Sequence, residues 1–478
     1  MTQVPRPTGS PRDLVHADSP QGRRVLAATV LGSGMALLDG TVVNVALRRI
    51  GTDLDASIVQ LQWVVTAYLL TLSALILVGG VLGDRLGRRR VYVAGVIWFA
   101  LASVLCGLAP TAEVLVVARL LQGVAAALLT PGSLALIQAS FVPEDRGRVI
   151  GRWAGLGGIA AAVGPALGGW LVDVASWRWV FWINVPVAVL VVWLTRRHVP
   201  ESCDEQSAAP FDGVGAALAC VGLGTLTWGM TSAGPTGTPA LVVGAALLVG
   251  FVVWERRTPH PMMPLHLFRS RVFSAANAMT VLVYGALGAM TLFLVLQLQV
   301  ALGMSPFQAG LATLPITVAL LLLSGRAGAV SARIGARLPM TIGPILCGAG
   351  TLMLATVAEG SSYWTGVLPG LVVFSLGLTT LVAPLTTSVL AAAPDRYAGL
   401  ASGINNAVAR TGSLLAVAAL PALVGLSGTE YDDPASMTEA YRAAMLVCTG
   451  LLVGGGVVSW LGLANRSGVA TSAAGPDR

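Results

Sequence analysis

One acidic residue, Asp39, lies deep inside an apolar segment, within the stretch RVLAATVLGSGMALLDGTVVNVAL. Every other carboxylate lies at the end of an apolar run or outside one, and all four histidines lie in polar segments. An ionised acid near the centre of a bilayer costs at least a few kcal/mol, so such residues are rare and mostly functional. If this chain couples any process to protons, we expect Asp39 to bind the proton.

A basic residue, Arg119, also lies inside an apolar segment. With a rise of about 1.5 Å per residue, Asp39 and Arg119 lie roughly 12 to 13 Å from the same face of the membrane. This matched depth predicts pairing or electrostatic coupling between the carboxylate and the guanidinium. The alternative is that backbone carbonyls alone satisfy Arg119.

The elements that carry these residues are membrane-spanning helices. Of the 478 residues, 55% are hydrophobic and only 11% are charged, with a mean hydropathy of +0.78, too little charge for a soluble protein of this size. All 29 basic side chains are arginines, and most of them lie in short clusters between apolar segments, which membrane topology explains better than nucleic-acid binding. The sequence has no cysteine pair with metal-site spacing and no phosphate-cradling GxxxxGK[ST] loop. We therefore expect no metal, no cofactor, no nucleic acid and no ATPase subunit.

Fourteen apolar stretches are long enough to cross a bilayer, which takes about 20 residues each. An even number places both termini on the same side. If that side is the cytoplasm, cytoplasmic segments carry 23 arginines and exterior segments carry four, the asymmetry typical of membrane proteins. The sequence therefore predicts a multi-pass protein of the plasma membrane with both termini in the cytoplasm. We place the spans at 23–47, 61–83, 91–110, 112–140, 150–172, 179–195, 212–232, 239–254, 272–300, 308–331, 339–358, 364–392, 399–425 and 441–463.

The later half of the chain repeats the earlier half. GGVLGDRLGRRR follows the second span and GAVSARIGAR follows the tenth, with Ala332 at the position that corresponds to Asp84. Parallel repeats of this kind build rocking transporters, which bind substrate between the halves near the bilayer midplane. The predicted fold is an all-α polytopic membrane protein with two six-helix bundles, spans 1–6 and 9–14. The predicted organisation is a cytoplasmic tail (1–22), an N-terminal bundle (23–197), a linker with two inserted transmembrane helices (198–271), a C-terminal bundle (272–463) and a second cytoplasmic tail (464–478).

The loop after the second span resembles the signature of the major facilitator superfamily. From about residue 24 to 463, the chain closely resembles the fourteen-span drug:proton antiporter family, of the multidrug or quaternary-ammonium exporter type. The resemblance implies that this loop forms a gate, with Arg85 and Arg88 able to pair across the seam between the bundles. A plain positive-inside loop is the alternative, but the pattern Gly-x-x-x-Asp-Arg-x-Gly-Arg-Arg is more specific. The implied gating residues are Gly80, Asp84, Arg85, Gly87 and Arg88.

Two further stretches, LLDGTVVNVALRRI and LVVARLLQGVAAA, resemble the family's signatures in spans 1 and 4. The resemblance implies that Asp39 and Arg119 take part in proton coupling. Arg48 stands where the family usually has proline, which leaves the exit geometry of span 1 open.

In span 5, AAVGPALGGWL resembles the motif that is associated with antiporters in this superfamily. The resemblance implies that the motif sets the direction of exchange. Its alternative role is a GxxxG packing face that contains a proline, which removes one backbone donor. The motif residues are Gly164, Pro165, Gly168 and Gly169.

The candidates for a substrate cavity are polar and aromatic residues of the spans. The polar groups could instead tie helices together, and aromatic side chains in a span often face lipid or fill the core. The candidates are Asn44, Trp63, Tyr68, Gln122, Asn405 and Arg410.

The function that these features predict is proton-coupled efflux of small hydrophobic or cationic compounds, such as a drug, antibiotic or biocide, by alternating access. The alternative is an exporter or importer of a specific metabolite on the same fold. A membrane enzyme or sensor would need a catalytic constellation, and the sequence contains none, so we expect no enzymatic activity. The expected partners are the small-molecule substrate, protons and the lipid bilayer, and we expect a monomer.

Overall fold

The protein is built from long α-helices. The computed structural model describes residues 14–203, 212–232, 236–394, 397–426, 428 and 430–463. Within these ranges, 14 helices are long and apolar enough to cross a membrane, which confirms the predicted fold class and number of spans. The α-helices are α1 (Pro20–Leu54), α2 (Ile58–Leu86), α3 (Arg88–Leu108), α4 (Ala112–Ser140), α5 (Pro143–Val174), α6 (Trp179–Trp182), α7 (Asn184–His198), α8 (Gly213–Thr231), α9 (Gly237–Arg257), α10 (Arg271–Val300), α11 (Pro306–Ala312), α12 (Leu314–Ile334), α13 (Arg337–Leu354), α14 (Leu368–Ala391), α15 (Ala398–Leu423) and α16 (Pro434–Gly462).

Three of the described spans consist of two helical segments each. α6 and α7 together form the sixth span, α11 and α12 form the tenth, and a short π-helix (Tyr363–Val367) precedes α14 in the twelfth. Because the spans alternate in direction, α1 begins and α16 ends on the same face of the protein. We call this face the basic face, since it carries most of the arginines, and the opposite face the far face.

Several helix ends are fixed by local sequence. Ser57 and Gln60 form a capping box at the start of α2, which satisfies two free backbone donors. Gly87 ends α2 with a φ of 104°, and Gly335 ends α12 with a φ of 86°, angles that only glycine adopts readily. These glycines are the matching positions of the internal repeat, so the repeat has the same backbone turn in both halves.

Helix packing divides the spans into groups. α1 packs against α4, α5 and α7, while α4 also packs against α2 and α3. In the later half, α10 packs against α15 and α16, and α13 packs against α14 and α16. The inserted helices α8 and α9 pack against each other, and α8 also contacts both α2 and α15. The inserted pair therefore touches both halves.

The two halves meet closely at the far face. Arg48 at the end of α1 donates to Asp432 before α16 at 3.0 Å and to the carbonyl of Gln299 in α10 at 2.9 Å. The Tyr431 hydroxyl donates to the carbonyl of Ala56, and α5 packs against α11.

At the basic face, a cavity of about 1240 Å³ opens between the end of α2, the inserted helices and the start of α15.

Candidate functional site

The candidate site is a network of buried polar side chains around Asp39. Arg119 of α4 forms an ion pair with Asp39 through Nη1 and Oδ2. The Nε2 group of Gln122 donates to Asp39 Oδ1 at 2.8 Å, and Asn184 at the start of α7 donates to the same oxygen at 3.2 Å. The matched depths of the sequence analysis predicted the pairing of Asp39 with Arg119, and the structure brings the two side chains together.

The guanidinium of Arg119 has further partners besides Asp39. Its Nε donates to the carbonyl of Val64 at 2.9 Å, and Nη1 also donates to Gln122 Oε1 at 2.7 Å. Its Cζ lies 4.4 Å from the centre of the Tyr68 ring, close enough for a cation–π interaction. Arg119 therefore has both side-chain and backbone partners, so backbone carbonyls alone do not satisfy it.

The network is closed to solvent in this conformation. The exposed fraction of Asp39 is 0%, that of Gln122 is 0%, and that of Arg119 is 1%. Burying an ion pair is tolerated when hydrogen bonds satisfy the remaining donors and acceptors, and both oxygens of Asp39 have donors here.

The residues predicted to line a substrate cavity occupy different environments. Gln122 belongs to the Asp39 network, and Tyr68 is buried beneath Arg119 with its hydroxyl donating to Ala36 O. Trp63 donates from its indole to Thr231 of the inserted helix α8 at 3.1 Å, so it lies at the α2–α8 contact.

In the later half, Asn405 of α15 donates to Asn277 and Thr280 of α10, which ties two helices together. Asn44 of α1 and Arg410 of α15 are half-buried.

The predicted gating loop lies at the basic face between α2 and α3. Arg88 pairs with Asp84 of the same loop at 2.7 Å, and among the described residues no ion pair joins Arg88 to the other half. Asp84 also lines the basic-face cavity. Gly80 is half-buried near Pro131 of α4, whereas Arg85 is exposed.

A carboxylate that sequence reasoning missed, Glu201, holds this loop. Its Oε1 accepts from the backbone N–H of Arg89 at 3.0 Å, and its carboxylate packs on Gly87. The positive φ of Gly87 and this close approach both exclude a side chain at that position. The sequence signal that could have identified Glu201 was an acidic residue in the Pro-Glu-Ser stretch directly after α7.

The antiporter-like motif lies where α5 meets both halves. Gly164 and Gly168 pack against Thr41 and Val42 of α1 without room for a Cβ. Gly169 lies against the backbone at the start of α11, in the later half.

On the same stretch of α5, the carbonyl of Pro165 faces Gly310 of α11. The motif is therefore a packing face, as its alternative role required, and part of that face is the contact between the halves.

Asn184 is a further residue that the sequence analysis did not select. It donates to Asp39 and to Ser103 of α3 and has an exposed fraction of 1%. Its polarity within the apolar stretch WRWVFWINVPVAV was the signal that could have identified it. Through Asn184 and Ser103, the network joins α1, α3, α4 and α7.

Fourteen spans in two packed halves, with a charged network buried in one half, define a multi-pass membrane transporter. The sequence profile of the Major Facilitator Superfamily matches residues 29–417 and, in a second match, 276–476. The Multidrug resistance protein Stp of Mycobacterium tuberculosis is 39% identical over 403 residues, which cover 83% of this chain and 74% of that protein. The Methylenomycin A resistance protein of Streptomyces coelicolor is 34% identical over 442 residues, or 90% of each protein.

Among solved structures, the crystal structure of a POT family transporter in complex with 5-aminolevulinic acid superposes with a TM-score of 0.71 at 13% identity. The superposition covers 93% of this chain and 96% of that one. At this low identity, the similarity shows only that the two proteins share a fold. The chain belongs to the Major Facilitator Superfamily, and relatives named for drug resistance confirm the resemblance that its motifs indicated.

Proposed function

We propose that this protein exports small organic compounds from the cell in exchange for protons, by alternating access. The observation that carries the proposal is the buried carboxylate of Asp39, held by Arg119, Gln122 and Asn184. A deep carboxylate is the group in a membrane span that can accept and release a proton within the bilayer. Among the described residues, the other carboxylates lie near helix ends or in loops.

Protonation of Asp39 would change the packing of the first half. The ionised carboxylate accepts hydrogen bonds from side chains of α4 and α7. A protonated carboxyl carries no charge, so it loses the ion pair with Arg119 and frees the guanidinium for other partners. Proton binding is thereby linked to the relative positions of α1, α4 and α7. Each proton that crosses the membrane supplies about 2.3 kcal/mol per 100 mV.

The contacts between the halves support an alternating mechanism. The far face is closed by Arg48 with Asp432 and by Gly169 against α11, while the basic face has a cavity. To open the far face, the two halves must separate at these contacts. Close-packed interfaces with small residues suit two discrete arrangements, since they do not deform continuously.

The direction of transport depends on how the protein is oriented in the membrane. The arginine asymmetry supports a cytoplasmic position for the basic face and both termini. The cavity of this conformation would then receive compounds from the cytoplasm, as an exporter requires. Relatives named as multidrug resistance and methylenomycin A resistance proteins support export of drug-like compounds. We expect the exported compounds to be hydrophobic or cationic. We also expect the protein to lie in the plasma membrane and to work as a monomer.

The experiment is a compound panel on a pump-deficient bacterium that expresses the chain. We expect lower accumulation of a subset of hydrophobic or cationic compounds, and the difference should vanish when the proton gradient is collapsed. Asp39→Asn, expressed at the same level, serves as the inactive control. Gradient-driven uptake of one metabolite, with no effect on the panel, would instead favour the metabolite transporter.

A further inference from the structure

Two carboxylates meet at the basic-face end of the inserted helices. Asp212 caps the start of α8, where its Oδ1 accepts from the backbone N–H of Gly215 at 2.8 Å. Glu255 lies near the end of α9 and is 3% exposed. Its Oε2 accepts from the backbone N–H of Met263 in the linker that follows, at 2.9 Å.

The second oxygen of each carboxylate has no hydrogen-bond donor among the described residues. Asp212 Oδ2 and Glu255 Oε1 are both buried and, among the described residues, make no hydrogen bond. A Cβ at Gly215 would lie 2.6 Å from Asp212 Oδ2 and 2.7 Å from Glu255 Oε1. The two unpartnered oxygens therefore converge on one point beside the α8 backbone, and glycine at position 215 allows this approach.

The charges around the pair do not neutralise it. No ion pair joins either carboxylate to a basic group in the part of the chain that the structure describes. The other titratable or charged groups that line the surrounding cavity are Asp84 of α2, Arg256 of α9, His260, His266 and Arg269 of the linker, and Tyr397 before α15. The arginines and histidines of this group are exposed to solvent, which screens their charges.

We propose that Asp212 and Glu255 hold one proton between Oδ2 and Oε1, as a second proton-binding site of this protein. Two adjacent carboxylates cannot both be ionised at low cost, and a shared proton supplies the donor that both oxygens lack. The site is separate from Asp39, which belongs to the first half. It does not depend on the proposed transport reaction.

The shared proton fastens three segments together. Asp212 belongs to the start of α8, Glu255 to the end of α9, and Met263 to the linker that leads to the later half. Loss of the proton leaves two negative charges side by side, which repel each other and loosen the linker. The pair also lines the basic-face cavity, so its protonation sets the charge that a compound meets there.

The test is infrared spectroscopy of the purified full-length protein over a pH titration. We expect a carbonyl stretching band of a protonated carboxyl group that disappears at high pH. Glu255→Gln should abolish the band, because it removes one of the two carboxylates that share the proton. Glu439→Gln, at an exposed position outside both proton-binding sites, should leave it unchanged.

Asp212→Asn distinguishes two explanations of the band: a proton shared by both carboxylates, and protonation of Glu255 by burial alone. Without the charge of Asp212, Glu255 should lose its proton at lower pH, so the midpoint of the band should move down. An unmoved midpoint would mean that burial alone protonates Glu255, and the proposal would be wrong. It would also be wrong if no band were lost in Glu255→Gln. Asparagine still caps α8, so this variant keeps the test available if Glu255→Gln does not fold.

Hydrogen exchange provides a second readout, of the contact between Glu255 and the linker at Met263. Above the midpoint, the amide of Met263 should exchange faster in the wild-type protein than in Glu255→Gln at the same pH. The variant corrects for the intrinsic pH dependence of exchange, because glutamine keeps an acceptor at this position. Equal exchange at all pH values would contradict the proposed link between the proton and the linker.

Discussion

One added methyl group at Gly169 tests the contact that closes the far face. Gly169 lies so close to the backbone of Pro306 and Phe307 in α11 that a Cβ would overlap both residues. Backbone atoms cannot rotate out of the way as a flexible side chain can. Gly169→Ala should therefore disfavour the conformation in which the two halves meet at the far face.

The size of the effect follows from the packing. Overfilling a close-packed contact costs about 1 to 3 kcal/mol. That range corresponds to a roughly 5- to 150-fold shift in a two-state equilibrium, here toward the far-open conformation. Alanine also raises helix propensity by about 1 kcal/mol. Gly158→Ala in the same helix controls for this gain, because nothing lies within 4 Å of its added Cβ.

The assay measures distances between spin labels at two exposed far-face positions, Val174 of the first half and Glu359 of the later half. We expect one dominant short distance in the wild-type protein and in Gly158→Ala. In Gly169→Ala, a longer distance should gain weight by the calculated factor. If Gly169→Ala folds and gives the same distribution as Gly158→Ala, the motif does not seal the far face.

Three further predictions concern the far-face contact of Arg48, the membrane topology and the N-terminal segment. Arg48→Ala should shift the same spin-label distribution by less than Gly169→Ala, because the Arg48–Asp432 pair is partly exposed and worth about 0.2 to 1 kcal/mol; an equal or larger shift would contradict this ranking. Reporter fusions at Gly237 and Asp432 should report the exterior, and fusions at Arg89, Asp204 (outside the described residues) and Arg269 the cytoplasm; an exterior signal at Asp204 would overturn the proposed topology. A hydrogen bond from Arg152 and the charge of Arg148 lower the pKa of Asp18, so its anchoring of residues 14–19 should be present above the usual aspartate range and fade as pH falls through the lowered pKa. At neutral pH, hydrogen exchange of this segment should be faster in Asp18→Asn than in the wild-type protein, and equal exchange would refute the role of Asp18.

The sequence was sufficient for the fold and for the central ion pair. Runs of apolar residues determine membrane spans almost alone, because an unsatisfied backbone cannot cross lipid. The depth of a residue follows from the helix rise, so Asp39 and Arg119 could be matched before any contact was known. Asn184 was missed because depth along a span does not tell which face of the helix a residue occupies.

Side-chain partners between distant segments could not be predicted in the same way. Trp63 was assigned to a cavity, but it contacts α8, and no local pattern encodes where the inserted helices pack. Arg88, at the start of α3, pairs with Asp84 near the end of α2, across the turn at Gly87. Glu201 and Glu255 lie at the ends of apolar runs, where an acid normally meets water. Their burial depends on tertiary contacts alone.

Proton release on substrate addition tests the central claim, that Asp39 couples export to protons. Proteoliposomes with an imposed pH gradient should release protons when a transported compound is added. Asp39→Asn keeps the shape of the side chain and removes its charge, so the folded variant should release none. Asp53→Asn, in the same helix and paired with Arg49 at 3.2 Å, should behave as the wild-type protein does. Unchanged proton release from a well-folded Asp39→Asn protein would contradict the account.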